Sequence, residues 1–509
     1  MTSIFNLLDT LCPILEWLEN DKQTLFTCIL VNRTWCHIAV PILWRAPFKG
    51  RWLEDRSSLT STSIGCLDEV SKEKLKLFED FPLEVLRTPM FDYASFLYEL
   101  QYPTLHDAVK SWCDERGLTR YHNEEDDFAL YPTTTILEML TIQFMEKSKN
   151  LSRLFIPIIT HRQGDYVCLK KHETVVRKCL PKLKHLDCDD CIPENLIIAS
   201  ESCTNLNRLD IDCSWGNDEE ISRFLQVQRC LRHLTIRKRW PRLNDTINDG
   251  NLRKSLRCIV FRDNRNHMDN GGSLNVLASC KRLEILRFDC WLSFREDDME
   301  EFVSNSFPRL RKLSFTRCKA TAEIIIKMIS MNGLNLQELT LSWDTNKTNQ
   351  TSVIMVIAEN CPNLEYFDAP IAKTDLKHLY ELLKSCKKLE NLTINFEDNE
   401  MILLGSGYEV DHFLPMMSSV IPKSLYQLNI FAPWRFTVKS LREFLMKDRN
   451  KNLKCLGFLR NITDDHLMVI TEYAQERKTL KYLELRECET SDEVRKNAKR
   501  FISEMAVYN

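Results

Sequence analysis

The chain has 509 residues, 44% of them hydrophobic, and its 69 basic side chains nearly balance 72 acidic ones, leaving a formal charge of −3. That balance gives no support to a nucleic-acid or membrane binder. No stretch approaches the roughly 18 apolar residues of a membrane span, and Asp9 and Glu16 interrupt the opening where a signal peptide would be uncharged. The 20 cysteines are therefore expected to be reduced thiols, and the location cytoplasmic or nuclear.

Near the start of the chain, Leu7, Leu8, Leu11, Ile14, Leu15 and Leu18 recur at helical spacing, which predicts an amphipathic first helix containing Pro13. Asn20-Asp21 reads as a stop followed by a new cap at Asp21. Beyond it Leu25, Cys28, Ile29, Trp35, Ile38 and Ala39 mark one or two further apolar faces, and Pro41 is expected to end that helical stretch before Leu43-Trp44. Helices this short are marginal without a neighbour or partner.

Two phrases in this head, Leu30-Val31-Asn32-Arg33-Thr34-Trp35 and Leu43-Trp44-Arg45, resemble the F-box, the motif by which substrate receptors dock on the Skp-type adaptor of cullin-based (SCF) ubiquitin ligases. The resemblance covers about residues 4–48. It departs from the family at the start, where Leu7-Leu8 stand in place of the usual Leu-Pro and a proline comes later, at Pro13. By this resemblance Leu30, Val31, Trp35, Leu43 and Trp44 would make or support the adaptor contact, with a cullin reached through the adaptor. A plain helical cap on the downstream domain is the alternative.

Residues 49–150 are less regular. Residues 51–76 read as a polar connector with a helical tail near 72–78, and 91–100 as a packed helix. Glu124-Glu-Asp-Asp127 reads as a solvated loop, with a docking site as the alternative, and 136–145 as the helix of an early, degenerate repeat. Together 80–150 would form a layer capping the first face of the downstream repeats.

From Leu151 a phrase of the form Leu-x-x-Leu-x-Leu recurs, as in Leu206-Asn-Arg-Leu209-Asp-Ile211. Its successive starts from Leu206 to Leu389 are 25, 25, 27, 27, 26, 28 and 25 residues apart. That period is characteristic of leucine-rich repeats, and 13 starts fall between Leu151 and Leu480. The longer intervals after Leu151 and Leu389 predict loop insertions. Leu-x-Leu aims two apolar side chains into the core and leaves the intervening residue outside. Helical segments such as 322–329 and 353–358 would cover the other side. The expected fold class is α/β: a leucine-rich-repeat solenoid with a curved parallel sheet and outer helices, spanning 151–509, preceded by a small all-α head at 1–48 and a connector and capping region at 49–150.

Cysteine stands three residues before the leucine phrase at Cys203, Cys280, Cys361 and Cys386, which resembles the cysteine-containing repeat subtype common among F-box receptors. These thiols fit tight turns. Cys188-Asp-Asp-Cys191 has zinc-like spacing, but no second pair lies at a suitable distance, so no metal is expected. No phosphate-binding loop, zinc-protease helix or nucleophile elbow occurs, and 12 glycines leave little material for phosphate cradles. Neither catalysis nor a cofactor is expected.

Strand phase places Arg208, Asp210 and Asp212, then His233, Thr235 and Arg237, Arg262, Arg287 and Asp289, and Lys312, Ser314 and Thr316 on the open face. His185 and His233 read as surface histidines. Trp215, Trp240, Trp291, Trp343 and Trp434 come just after their strands; packing in loops is the expected role for most, interface anchoring the alternative. The mixed charge suits a protein partner. The resemblance thus implies a non-catalytic substrate receptor, with the head on the adaptor and the open face on a protein substrate. A repeat scaffold without a ligase role, or a repeat-type regulator of a small GTPase, are the competing readings.

Overall fold

The computed structural model describes residues 4–49, 56–118, 132–155, 169–188, 193–213, 218–238, 251–263, 273–291, 299–343, 350–396, 407–447 and 451–508. It divides into two compact units, Met1–Leu234 and Thr235–Asn509.

The head is three helices: α1 (Ile4–Trp17), α2 (Lys22–Ile29) and α3 (Arg33–Leu43). Asp21 caps α2 by accepting from the Thr24 amide at 3.0 Å, as its position after the first helix predicts. Asn32 caps α3 through the Trp35 amide at 3.0 Å, so the single apolar stretch from Leu25 to Ala39 is broken into two helices. Pro13 lies inside a continuous α1. Pro41 does not end α3 as expected; the helix runs to Leu43, and the Trp44 amide still reaches the Val40 carbonyl at 3.0 Å. A proline removes only its own amide, and the next turn closes around it. Leu11, Leu15, Leu25, Cys28, Ala39 and Ile42 form the buried core of this bundle.

The head is joined to residues 91–99 by packing and by backbone. Trp44 lies 4.3 Å from Tyr93, ring centre to ring centre, and His37 meets Phe91 edge-on at 5.3 Å. Those aromatics do not belong to a helix over 91–100. The segment instead makes one tight turn at Tyr93–Phe96 and then a strand, β1 (Glu99–Gln101).

β1 pairs in parallel with β2 (Arg153–Phe155), β2 with β3 (His185–Cys188), and β3 with β4 (Arg208–Asp212). The ladder therefore starts before Leu151, at the phrase Leu97-x-x-Leu100-x-Tyr102, where a tyrosine replaces the third leucine and hides the repeat. α6 (Tyr102–Glu115), which comes after α4 (Arg56–Gly65) and α5 (Glu69–Leu75), and then α7 (Pro132–Lys147), accompany this first rung. Glu124 to Asp127 lie outside the described residues.

β5 (His233–Arg237) is succeeded in the second unit by β6 (Cys258–Arg262), β7 (Ile285–Asp289), β8 (Lys312–Cys318), β9 (Glu338–Trp343), β10 (Tyr366–Pro370) and β11 (Asn391–Asn395). The long interval after Leu389 supplies β12 (Tyr408–Glu409) before β13 (Gln427–Ile430), and β12 pairs with β14 (Trp434–Arg435) outside the main ladder. β15 (Cys455–Leu459), β16 (Tyr482–Arg486) and β17 (Glu504–Tyr508) complete the array. Each of the 13 leucine phrases carries one strand, and the ladder has 15 because β1 and β17 add a rung at either end.

Register turns the phrase into columns. Leu286, Leu313 and Leu339 stand opposite one another, as do Phe261, Phe288 and Phe315 two residues later. All are buried, and the three phenylalanines stack nearly parallel at 4.8 and 5.1 Å. Helices Ala322–Asn332, Gln350–Asn360 and Leu376–Ser385 come after their strands as the sequence predicts. This is an α/β leucine-rich-repeat solenoid fold.

Two recurrent details build the turns. The residue leaving the strand adopts a left-handed backbone at Lys238, Asp263, Cys290, Arg460 and Glu487. Each donates its amide to a carbonyl of the next repeat, at 2.8, 3.0, 2.8, 2.8 and 2.6 Å respectively. The hydrogen bond offsets the strain of a side chain at positive φ.

The position three before the leucine phrase links neighbouring repeats at several places. Cys203 Sγ donates to the Leu180 carbonyl at 3.4 Å, and Cys386 Sγ to the Cys361 carbonyl at 3.2 Å. In both cases the acceptor occupies the same slot one repeat earlier. Burial pushes the Cys203 thiol far up and the Cys280 and Cys386 thiols up to about 12, so they stay protonated and able to donate. Gln228 fills this slot in its own repeat. It accepts from the Leu206 amide at 3.2 Å and donates to the Phe224 carbonyl at 3.2 Å and to the Cys203 carbonyl. Gln228→Ala strands three buried backbone groups, so a loss of about 2–3 kcal/mol is expected in urea unfolding. A change under about 0.5 kcal/mol would mean the slot does not need filling.

Candidate interaction surfaces

The head separates contact from support among its five candidate residues. Leu30 is 73% and Val31 58% exposed at the turn leaving α2. Trp35 and Leu43 are partly buried against the head's core, and Trp44 is buried beneath Tyr93. Leu30 and Val31 are thus free to meet a partner, whereas Trp44 holds the head in place. Ile14 and Trp17 are also exposed, one turn apart on α1, as is Phe26, one turn before Leu30. The sequence marks Ile14 only as part of the apolar face of α1 and does not single out Trp17 or Phe26, because periodicity marks apolar residues without saying which face a partner covers.

On the repeats, the residues that strand phase assigns to the open face differ widely in exposure. In the first unit Arg208 and His233 are exposed. Asp210 is not: only 1% of it is accessible. It takes the Arg208 Nε at 2.7 Å and the His185 Nε2 at 2.8 Å, which is possible because His185 and Arg208 stand opposite each other across β3 and β4. His185 is correspondingly half-buried against Phe155 rather than a free surface histidine. Asp212 is buried too. A side chain on a parallel sheet is flanked by equivalent side chains one strand away, so a short carboxylate sinks between longer neighbours.

In the second unit Arg262 and Arg287 are exposed, Arg237, Asp289 and Lys312 partly so, and Thr235 is buried. Asp289 is approached by Arg262 at 3.8 Å and Arg317 at 3.4 Å, while Lys312 pairs with Glu338 at 2.5 Å. Arg287 lies between Val260 and Ser314 in register. Trp291 is buried against Phe261, and Trp434, buried at the start of β14, donates to the Tyr408 hydroxyl at 2.8 Å, so neither is an exposed anchor. Trp215 and Trp240 lie outside the described residues, as do Cys191 and the side chain of Trp343.

A polar group further along the same face had the right phase but no motif to flag it. The Asp368 carboxylate accepts from the Tyr366 hydroxyl at 3.3 Å and from Asn395 across the strand pair. Burial pushes Asp368 up to about 6 from 3.8, and those two hydrogen bonds pull it only partly back. Because the folded value lies above the unfolded one, stability is greatest below pH 4 for this group and falls as pH rises towards 6 and beyond. Asp368→Asn is expected to raise stability at pH 7.5 by about 1–2 kcal/mol while leaving it unchanged near pH 4. Equal effects at both pH values in urea unfolding would count against the shifted carboxyl.

A third surface was not foreseen: a cleft of about 1070 Å³ in the first unit, walled by the head and the first rungs of the ladder. It is lined by seven basic side chains and two acidic ones.

No family model matches the chain, and no curated protein does. Among solved structures it is similar to the protein in a crystal structure of a TLR13–ssRNA13 complex, at 14% identity and a TM-score of 0.36, covering 67% of this chain. The chain spans about half of that one, 47%. It is also similar to a protein from Bacteroides fragilis, at 15% identity and a TM-score of 0.34, covering 52% of this chain and 69% of the other. The repeat period and the strand register described above give the chain an α/β leucine-rich-repeat solenoid fold with a helical head.

Proposed function

We propose that this chain is the substrate-recognition subunit of an SCF-type ubiquitin ligase, acting in the cytoplasm or nucleus. The head docks on the Skp-type adaptor, and the open face of the repeats holds a protein substrate. The observation that carries the reading is the exposure of Leu30 and Val31 within the phrase that resembles the F-box, on a three-helix head where Ile14, Trp17 and Phe26 are exposed as well. Large apolar side chains gathered on so small a bundle mark a protein interface.

The chain itself performs no chemistry in this reading. Binding to the repeats raises the effective concentration of a substrate lysine near the conjugating enzyme held by the rest of the ligase. Arg208 and His233 in the first unit, and Arg237, Arg262, Arg287, Asp289 and Lys312 in the second, are the side chains offered to a protein partner in this reading.

The test uses the full chain, because Trp44 and the Arg45 carbonyl tie the head to residues 93–99. Purified with the adaptor and a cullin, it is expected to form a stoichiometric complex and to be ubiquitinated itself when the conjugating machinery is added. Failure of the folded chain to capture any Skp-type adaptor would leave only the repeat scaffold.

A further inference from the structure

We infer that the basic cleft between the head and the first repeats binds a small polyanion carrying two or more phosphate groups. The inference is independent of adaptor docking, which uses other residues.

The cleft arises because the head begins the hydrogen-bond ladder. The Arg45 carbonyl accepts from the Tyr98 and Glu99 amides, the Tyr98 carbonyl from Ser152 and Arg153, and the Ser152 carbonyl from Lys184 and His185. Arg45, Tyr98, Ser152 and Lys184 are therefore successive rungs, and their side chains line one concave wall. The amides of this wall are spent on the ladder, so a ligand must be held by side chains.

Those side chains are strongly biased in charge. Lys22, Arg45, Lys49, Lys149, Arg153, Lys182 and Lys184 face only Glu19 and Glu99, in a chain whose overall charge is −3. The two carboxylates do not neutralise the cleft; they brace part of it. Buried Glu99 holds Lys49 at 3.0 Å and Arg153 at 3.3 Å, and Arg45 is held by Glu16 at 2.9 Å and Glu19 at 3.6 Å. Lys149, Lys182 and Lys184 are exposed and make no ion pair among the described residues.

Lys22 is the most telling of the seven. Its ammonium reaches the Leu43 carbonyl at 3.4 Å, and burial, with Arg45 and Lys49 nearby, lowers its proton affinity despite Glu19 and Glu99. A phosphate entering the cleft would relieve that repulsion. The volume suits a small ligand, and ammonium groups hold phosphate as point charges from several directions.

Titration calorimetry of the full chain with sodium tripolyphosphate at low ionic strength tests this. Saturable 1:1 binding is expected, weakened roughly tenfold or more in the charge-reversal variant Lys149→Glu/Lys184→Glu. It should be unchanged in Lys388→Glu/Lys423→Glu, which alters exposed lysines elsewhere. Lys182→Glu alone reads the same site should the double variant not fold. The inference is overturned if tripolyphosphate gives no saturable heat, if the control pair weakens binding equally, or if only polyglutamate or an oligonucleotide binds.

Discussion

Replacing Leu30 and Val31 together by aspartate is expected to abolish capture of the Skp-type adaptor while leaving the fold intact. Both side chains are more than half exposed, so neither supplies much of the head's core. Surface changes of this kind move stability by about 0.5 kcal/mol or less. At an interface the balance reverses. Apolar anchors at the centre of a contact contribute about 2 kcal/mol each, and a carboxylate in their place must be desolvated without a partner. The combined loss of affinity is on the order of a thousandfold or more. Calorimetry against the adaptor measures it, with urea unfolding as the control for folding. Undiminished binding by the double variant would remove this turn from the adaptor contact. Trp44→Ala should behave differently: Trp44 packs on Tyr93, so stability is expected to fall by about 2–4 kcal/mol along with capture.

Phe288→Ala should have the largest effect on the repeats. The ring is fully buried between Phe261 at 4.8 Å and Phe315 at 5.1 Å, nearly parallel to both. Truncation removes its own burial and two stacking contacts and leaves a cavity that the flanking strands cannot close, for an expected loss of about 3–5 kcal/mol. In a solenoid each repeat contacts only its neighbours, so the damage should stay local. Hydrogen exchange is expected to quicken across β6, β7 and β8 and to remain unaltered in the head, where adaptor capture should persist. Phe288→Leu, which conserves much of the volume, should cost less than about 1.5 kcal/mol. A uniform loss of protection along the chain would contradict this one-dimensional account.

Much of this architecture was legible in the residues. Leu-x-x-Leu-x-Leu at a period near 26 predicts strand, spacing and core face at once, because two alternating apolar positions force one side of the strand inward. The cysteine slot was legible as a turn position. Its hydrogen bonds between repeats were not, since Gln228 fills the same place with different chemistry. The strands of the end rungs were hidden for a similar reason: Tyr102 stands where a leucine would be, and the last phrase reads Ile502-x-x-Met505-x-Val507 with no leucine at all.

Local spacing along the chain was enough to give the repeat, the phase of its strands and the apolar phrases of the head. Which members of those sets are accessible emerged only on folding. Tertiary packing buried Asp210 beneath Arg208 and His185, sank Trp44 under Tyr93, left Leu30 and Val31 outside, and brought Lys22, Lys149 and Lys184 into one cleft. Exposure and charge clustering depend on neighbours far apart in the chain, and no local spacing encodes which distant segment will cover a side chain.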